Sequence, residues 1–289
     1  MTFGLHCNEP YECAFQERCW PKDPDHISNL YNIGRGKRGQ EYMAAGIHRI
    51  SDFPANKKIN FTAQRQIKAM KSRRIIVEQN LTQALAPFDV RLGFLDFETI
   101  QRAVPVWPDM KPWAQAAAQF SYHRSNGDGT YSHAEFLAEG PDDARPLLVQ
   151  RMIEATADAE RVVMYSSFEK TRIRDLQNNV PAFRSELVEL EHKLIDLLPV
   201  LRDHVYHPDF LGSFSIKRVL APLVPELSYS DLVIVDGMVA SVKIARLLFV
   251  AGKIPPEEVP RVRNDLLEYC KRDTWAMVKL LEKLRALPS

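Results

Sequence analysis

The chain has 289 residues, of which 45% are hydrophobic and 26% charged, and its formal net charge is +1. This composition is typical of a folded globular protein and excludes a collagen-like or low-complexity chain. The sequence has neither an apolar run long enough to cross a membrane nor the pattern of a secretory signal, so we predict a cytoplasmic protein with no membrane partner.

Residues 1–25 contain three clustered cysteines, with five residues between neighbours: Cys7, Cys13 and Cys19. In a cytosolic chain such a cluster favours metal or iron–sulfur ligation over disulfides. Three thiolates leave one position of a tetrahedral site open, which His6, Cys270 or a residue that this chain lacks would fill. We therefore predict a cysteine knuckle that holds Zn²⁺ or an iron–sulfur cluster. The alternative is three unrelated reduced thiols.

Residues 26–90 are mostly polar, and residues 20–90 carry twelve Lys or Arg against six Asp or Glu. Gly and Pro interrupt the helical pattern at 44–54, which predicts short helices joined by turns. A basic segment of this kind can hold the phosphates of a nucleic acid. We expect such contacts from five side chains: Arg65, Lys68, Lys71, Arg73 and Arg74. The alternative is a solvated helix face.

From residue 91 the pattern changes to strands, first at 93–100, then at 116–125 and 130–139 around the hairpin turn NGDG. The elements that follow are a helix at 142–158, a strand at 160–167, helices at 168–178 and 182–202, a helix near Ser215, and helices at 238–251 and 257–286. Three consecutive strands, a helix, a fourth strand and further helices predict an α/β fold. We expect an RNase H-like mixed sheet flanked by helices.

Acidic residues stand out at both ends of this region. Asp96 and Glu98 lie two positions apart on the first strand, so they face the same side of the sheet. Tyr269 and Asp273 lie four apart on the last helix and share one face. Two carboxylates on a buried strand repel each other unless cations bind, and a pair of divalent ions also catalyses phosphodiester cleavage. The alternatives are surface acids on an edge strand for Asp96 and Glu98, and an N-terminal or surface acid on an amphipathic helix for Asp273. For Tyr269 the alternative is an aromatic side chain packed in the core.

These motifs, D-x-E on the strand and Y-x-x-x-D on the helix, resemble the first and third motifs of the DEDD exonuclease superfamily, in its tyrosine subclass. The middle motif of that superfamily is an Asp after an aromatic residue, just past the fourth strand. Here Phe168 is followed by Glu169, so the resemblance implies Glu169 as the middle acid. Ser166 and Glu169 also fit a helix capping box, and Asp175 and Asp196 are the alternative acids.

More closely, residues 91–289 resemble an uncharacterised bacterial family of DEDD-type nuclease domains, through the segments LDFETI, YSSFEKTRI, YHPDFLGSFSIKRVL, DGMVAS and LLEYCKRDTWAMV. In longer members this domain follows a RecB-like nuclease half that ends in a cysteine knuckle similar to residues 6–20. In RecB-like nucleases such cysteines help to hold an iron–sulfur cluster, with one more ligand from far upstream. The resemblance therefore implies a partner that supplies the missing nuclease half or cluster ligand.

We thus predict three parts: a cysteine knuckle at 1–25, a basic helical linker at 26–90 and an RNase H-like exonuclease domain at 91–289. The resemblance implies a metal-dependent nuclease that cleaves DNA or RNA, with DNA favoured, from the 3′ end. The alternatives are a non-catalytic nucleic-acid-binding module and an accessory subunit of a larger nuclease complex.

The expected site has four acids as ligands of two Mg²⁺ or Mn²⁺ ions: Asp96, Glu98, Glu169 and Asp273. Tyr269 would orient the attacking water. Lys217 lies on a helix predicted to begin at Ser213 or Ser215, and we expect it to contact a phosphate.

Overall fold

The computed structural model describes residues 4–7, 11, 13–250, 252 and 254–288. Their packing divides the chain into two compact units. The first unit comprises Met1–Ala84, Pro199–Pro225 and Ala286–Ser289, and the second comprises Leu85–Leu198 and Glu226–Arg285. Residues 199–225 therefore pack with the N-terminal segments, although the sequence assigns them to the exonuclease domain. The three-part division at 25 and 90 stays a prediction.

The secondary structure of the described residues consists of eleven α-helices, seven strands and short 3₁₀ turns. The helices are α1 (Gln16–Cys19), α2 (Lys37–Ala44), α3 (Phe61–Ser72), α4 (Leu81–Leu85), α5 (Arg145–Thr156), α6 (Phe168–Asn179), α7 (Arg184–Lys193), α8 (Leu197–His204), α9 (Ile216–Leu223), α10 (Gly237–Phe249) and α11 (Val259–Arg285). The strands are β1 (Ile76–Val77), β2 (Leu92–Gln101), β3 (Gln115–Ser125), β4 (Tyr131–Leu137), β5 (Arg161–Met164), β6 (Leu194–Asp196) and β7 (Val205–Tyr206). None of the helices in the described part of the chain is long and apolar enough to cross a bilayer.

The second unit is built on a five-stranded mixed sheet with the order β4-β3-β2-β5-β6. Strands β2, β3 and β4 form an antiparallel meander, whereas β5 runs parallel to β2 and β6 runs parallel to β5. Gly127 and Gly129 form the predicted hairpin turn with φ of +86° and +84°, which glycine adopts at little cost. The predicted RNase H-like α/β class is confirmed.

Strand β2 lies at the centre of this sheet and presents different chemistry on its two faces. Leu95 and Phe97 pack into a hydrophobic core with side chains of α5, α6 and α7. The intervening Asp96 and Glu98 point to the opposite face, as the period of two requires. A second hydrophobic core, built with α10 and α11, covers the sheet on that face. The apolar face of β2 thus anchors the strand, and its other face presents the carboxylates toward α11.

One predicted helix of this unit is wrong in part. The sequence predicts a single helix over 182–202, but residues 194–196 form β6 and separate α7 from α8. Leu194 and Ile195 are apolar, and a short apolar run does not distinguish strand from helix by periodicity. Pairing with Val162 and Val163 of β5 decides the matter, and this contact is not local in the sequence.

The first unit has a hydrophobic core of its own, formed largely by the region predicted to be a linker. Its buried members are Ile27, Leu30, Ile33, Ile50, Phe53, Ala63 and Met70. The predicted short helices are present as α2 and α3, but β1 was not predicted. It pairs antiparallel with β7, which lies about 130 residues later in the sequence.

Candidate metal centre

Three carboxylates from two elements of the second unit converge on one face of the sheet. Asp96 and Glu98 come from β2, and Asp273 comes from α11. One oxygen from each lies within 4.8 Å of the other two. Within the described part of the chain, no other three His, Cys, Asp or Glu side chains bring their ligand atoms so close together. Carboxylate oxygens are the ligands that Mg²⁺ and Mn²⁺ prefer.

Two buried hydrogen bonds set the position of α11 against the sheet. Gln119 Nε2 on β3 donates to the carbonyl of Leu266 at 2.8 Å, and the hydroxyls of Ser121 and Thr274 lie 2.8 Å apart. Gln119 and Ser121 are the cross-strand partners of Glu98 and Asp96. These bonds therefore fix the turn of α11 that lies beside the two acids.

Glu169 belongs to the same cluster although it comes from a third element, the first turn of α6. Its side chain is 3% exposed, and its carboxyl group hydrogen-bonds to that of Asp96. Helix α6 begins at Phe168 after Ser167, without a capping bond from a side chain, so the alternative capping box does not form. Among the described residues, no N–H or O–H donor hydrogen-bonds to Glu169 Oε2.

The two alternative acids are engaged elsewhere. Asp175 forms an ion pair with Arg172 at 2.9 Å. Asp196 accepts hydrogen bonds from the backbone amides of Ser166 and Leu198, at 3.0 and 2.9 Å. Of these three acids, Glu169 is the one whose carboxyl group hydrogen-bonds to Asp96.

The cluster perturbs the ionisation of its members. Burial and the negative charge of Asp273 raise the pKa of Asp96 from 3.8 to about 7. Burial, and then the charge of Asp96, raise the pKa of Glu169 well above its ordinary value. A hydrogen bond between two carboxyl groups requires a proton on one of them. Near neutral pH and without cations, Asp96 and Glu169 therefore share a proton.

Two tyrosines donate to Asp273. Tyr269 is buried one turn before it on α11, and its hydroxyl donates to the carboxylate. The hydroxyl of Tyr229 donates to Asp273 Oδ1 at 2.6 Å. Burial and the charge of Asp273 raise the pKa of both hydroxyls, so both stay protonated at neutral pH. No sequence motif identifies Tyr229, because it lies in a loop 44 residues before Asp273.

Cys270 lies at the edge of the cluster. Its sulfur is 3.7 Å from Asp96 Oδ2 and is fully buried, and burial with the nearby carboxylates raises the pKa of the thiol well above its usual range. A neutral buried thiol behaves as a packed apolar group.

The N-terminal cysteines do not show the geometry of a shared ion. Cys7, Cys13 and Cys19 are free thiols, the first buried and the others half-buried. Sulfurs around one tetrahedral Zn²⁺ lie roughly 3.5–4 Å apart. In the described part of the chain, these three sulfurs are not a group whose atoms all lie within 4.8 Å of one another. A cysteine-held zinc ion or cluster stays a prediction, with no support from this arrangement.

The basic residues predicted to bind phosphate differ in their surroundings. Arg65 is 6% exposed and donates to Glu78 at 2.8 Å and to the carbonyls of residues 202 and 203. The expectation that Arg65 binds phosphate is corrected, because its guanidinium group is used inside the first unit. The other four side chains of the basic stretch are exposed: Lys68, Lys71, Arg73 and Arg74. Lys217 is half-buried in the first turn of α9, which begins after Ser215 as predicted. Their phosphate contacts stay predictions.

Comparison with known proteins gives two matches. Residues 93–215 match a family described as a domain of unknown function, DUF2779; this segment includes Asp96, Glu98 and Glu169 and ends before α11. The chain is also similar to the family B DNA polymerase from the hyperthermophilic archaeon Pyrobaculum calidifontis, with 16% identity and a TM-score of 0.40. That similarity covers 67% of this chain and 24% of the polymerase, so the chain spans about a quarter of its length. The sequence matches no curated protein.

Proposed function

We propose that the second unit is a metal-dependent nuclease that hydrolyses phosphodiester bonds. The observation that carries this proposal is the convergence of four carboxyl groups from three elements at Asp96. They are Asp96, Glu98, Glu169 and Asp273. Such an arrangement costs folding free energy through repulsion and desolvation, and bound cations would offset that cost.

The donor set fits hard divalent cations. All four side chains offer carboxylate oxygens, which suit Mg²⁺ and Mn²⁺. Glu169 Oε2 is buried and accepts no hydrogen bond from an N–H or O–H donor among the described residues, and an unsatisfied buried oxygen is costly. A bound cation would satisfy it and displace the proton that Glu169 shares with Asp96.

Each residue has a distinct part in the proposed reaction. Divalent ions at this site would activate the attacking water and stabilise the charge on the leaving oxygen. Asp96 is central, since it neighbours both Asp273 and Glu169, and this position suits a ligand shared by two ions. Burial, the charge of Asp273 and then the charge of Glu98 raise the pKa of Tyr269, so Tyr269 lies close to Glu98 as well. Its hydroxyl therefore stays protonated beside Glu98 and can donate to the attacking water.

We further propose that the reaction is exonucleolytic from the 3′ end, as in the tyrosine subclass of DEDD enzymes, and that DNA is the favoured substrate. The support is the position of Tyr269 and Asp273, one turn apart on α11 and beside Asp96. Exposed Lys68, Lys71, Arg73 and Arg74, together with Lys217, would contact phosphates of the bound strand.

The test uses the full chain with single-stranded DNA and RNA oligonucleotides labelled at either end, with Mn²⁺, with Mg²⁺ or with EDTA. We expect metal-dependent release of labelled mononucleotide from the 3′-labelled strand and a ladder of shortened products from the 5′-labelled strand. Asp96→Asn serves as the matched control and should release none. Strand binding without cleavage, or equal cleavage by Asp96→Asn, would contradict the proposal and favour a non-catalytic binding module.

A further inference from the structure

We propose that Tyr229 is a positioning residue for Asp273, which it holds in the orientation that binds a cation. The inference rests on the proposed nuclease function, because it assigns Asp273 to the ion-binding site. Tyr229 lies outside the D-x-E and Y-x-x-x-D motifs, in residues 226–236 ahead of α10. Tyr269, which also donates to Asp273, is then the tyrosine that acts on the attacking water.

The first observation is the direct contact. Tyr229 donates to Asp273 Oδ1 at 2.6 Å, and its ring lies edge-on to that of Tyr269 with centroids 6.4 Å apart. The two rings therefore support each other while both hydroxyls reach one carboxylate. Hydrogen bonds from outside a metal site orient its ligands and raise their affinity for the ion.

The second observation is that the loop carrying Tyr229 is tied to the same turn of α11. Arg272, the residue before Asp273, donates from Nη1 and Nη2 to the two oxygens of Asp231, at 3.0 and 2.8 Å. Arg272 also donates to the carbonyl of Ser228. Bidentate arginine–carboxylate pairs have a specific geometry. Tyr229 thus lies between Ser228 and Asp231, which both bind Arg272. Because Arg272 and Asp273 are neighbours on α11, these contacts also set the position of the Tyr229 hydroxyl relative to Asp273.

The two tyrosines should then have separable roles. A carboxylate has about four lone-pair directions, so one bond from Tyr229 leaves room for a cation. With Tyr229 in place, Asp273 keeps its orientation when the hydroxyl of Tyr269 turns toward the water. Loss of the Tyr229 hydroxyl should therefore weaken ion binding, whereas loss of the Tyr269 hydroxyl should slow turnover.

The test measures Mn²⁺ binding directly, by calorimetry or by the electron paramagnetic resonance of free Mn²⁺, on the full chain without nucleic acid. Tyr131→Phe is the matched control, because Tyr131 donates to Glu282 of α11 at 3.4 Å. We expect Tyr229→Phe to weaken Mn²⁺ binding about tenfold, and Tyr131→Phe to leave it unchanged. Turnover of Tyr229→Phe at saturating Mn²⁺ should stay within a few-fold of the natural protein. Asp231→Asn, which weakens the anchor at Arg272, should weaken Mn²⁺ binding in the same direction but less.

The outcomes separate this inference from the proposed function. If Asp96→Asn abolishes Mn²⁺ binding while Tyr229→Phe matches Tyr131→Phe, the nuclease proposal stands and the role of Tyr229 is overturned. A loss of turnover in Tyr229→Phe at saturating Mn²⁺ with unchanged affinity also overturns it. If the natural protein and Asp96→Asn bind Mn²⁺ equally, the proposed function fails and this inference with it. Thermal melting checks that Tyr229→Phe is folded, and if it is not, Asp231→Asn decides the question by the same affinity measurement.

Discussion

Asp25 in the first unit and Glu169 in the second are both almost inaccessible to solvent, at 1% and 3% exposure, but their surroundings are opposite. Asp25 accepts hydrogen bonds from the amide and the hydroxyl of Ser51, at 2.9 and 2.5 Å, and from Arg49 at 2.9 Å. Burial raises the pKa of Asp25, but these donors outweigh burial and hold it below its ordinary value. Glu169 faces another acid, and its pKa is raised.

The difference separates a structural acid from a candidate ligand. A buried carboxylate surrounded by donors stabilises the fold that supplies them. A buried carboxyl group beside like charges does not stabilise the metal-free fold, and strongly perturbed groups of this kind cluster at functional sites. The repulsion around Asp96 is what makes the site a candidate for cations.

The largest expected effect comes from substituting the two acids in parallel. Glu169→Gln should lower metal-dependent cleavage by roughly 10²–10³-fold, since a metal ligand contributes several kcal/mol to the transition state. In EDTA it should melt at the same or a higher temperature, because one of the repelling acids is removed. Asp25→Asn should destabilise the fold by about 2 kcal/mol and leave cleavage per folded molecule unchanged. Nuclease assays and thermal melts check both. Equal destabilisation by the two substitutions would show that Glu169 is a structural acid.

The second-largest expected effect tests the role of Tyr269 in the chemistry proposed for the second unit. Tyr269→Phe should reduce turnover by roughly 10²-fold or more, because the hydroxyl that assists the attacking water is lost. Binding of the strand should change little, since the hydroxyl acts on the water in the transition state. Single-turnover cleavage and equilibrium binding measure the two quantities, with Tyr131→Phe as the control. Unchanged turnover would make Tyr269 a packing residue.

A smaller effect concerns the pH dependence of stability. The pKa of Asp96 in the metal-free fold is about 7, above its ordinary value of 3.8, so between these values the folded state binds more protons than the unfolded state. Asp96 should therefore destabilise the protein progressively as pH rises from about 4 to about 7. Asp25 has a lowered pKa, so the stability it contributes is present above about pH 4 and is lost as pH falls below that.

The contribution of Asp96 to stability is the difference in unfolding free energy between the natural protein and Asp96→Asn, measured in EDTA from pH 4 to 8. The difference cancels groups that do not interact with Asp96, such as His123, whose pKa burial lowers to about 3. Asp96→Asn should gain stability over the natural protein toward neutral pH, and saturating Mn²⁺ should reverse that gain. A difference that stays constant over this range would contradict the proton shared by Asp96 and Glu169.

The smallest expected effect extends the comparison to basic residues of the first unit. Arg65 is buried and paired with Glu78, whereas Arg73 and Arg74 are exposed. Arg65→Ala should destabilise the fold. Arg73→Ala with Arg74→Ala should leave stability unchanged and flatten the salt dependence of single-strand binding by up to about 1.4 in slope, at roughly 0.7 for each phosphate contact. Binding titrations at several salt concentrations measure the slope, and an unchanged slope would make the pair a solvated helix face.

Periodicity in the sequence was sufficient to predict the central part of the site. The period of two places Asp96 and Glu98 on one face of β2, and helical spacing places Tyr269 and Asp273 on one face of α11. The order of strands and the glycine turn predicted the mixed sheet. These features depend on neighbours within a few residues, which the sequence displays directly.

Tertiary contacts decided the rest, because they join residues far apart in the chain. The position of α11 beside β2 depends on the bonds of Gln119 and Ser121 to that helix. Strand β6 exists because it pairs with β5, and the burial of Arg65 depends on carbonyls at 202 and 203. Tyr229 reaches Asp273 from a loop that lacks periodicity. Local patterns carry no information about such pairings, since each is determined by the packing of the whole unit.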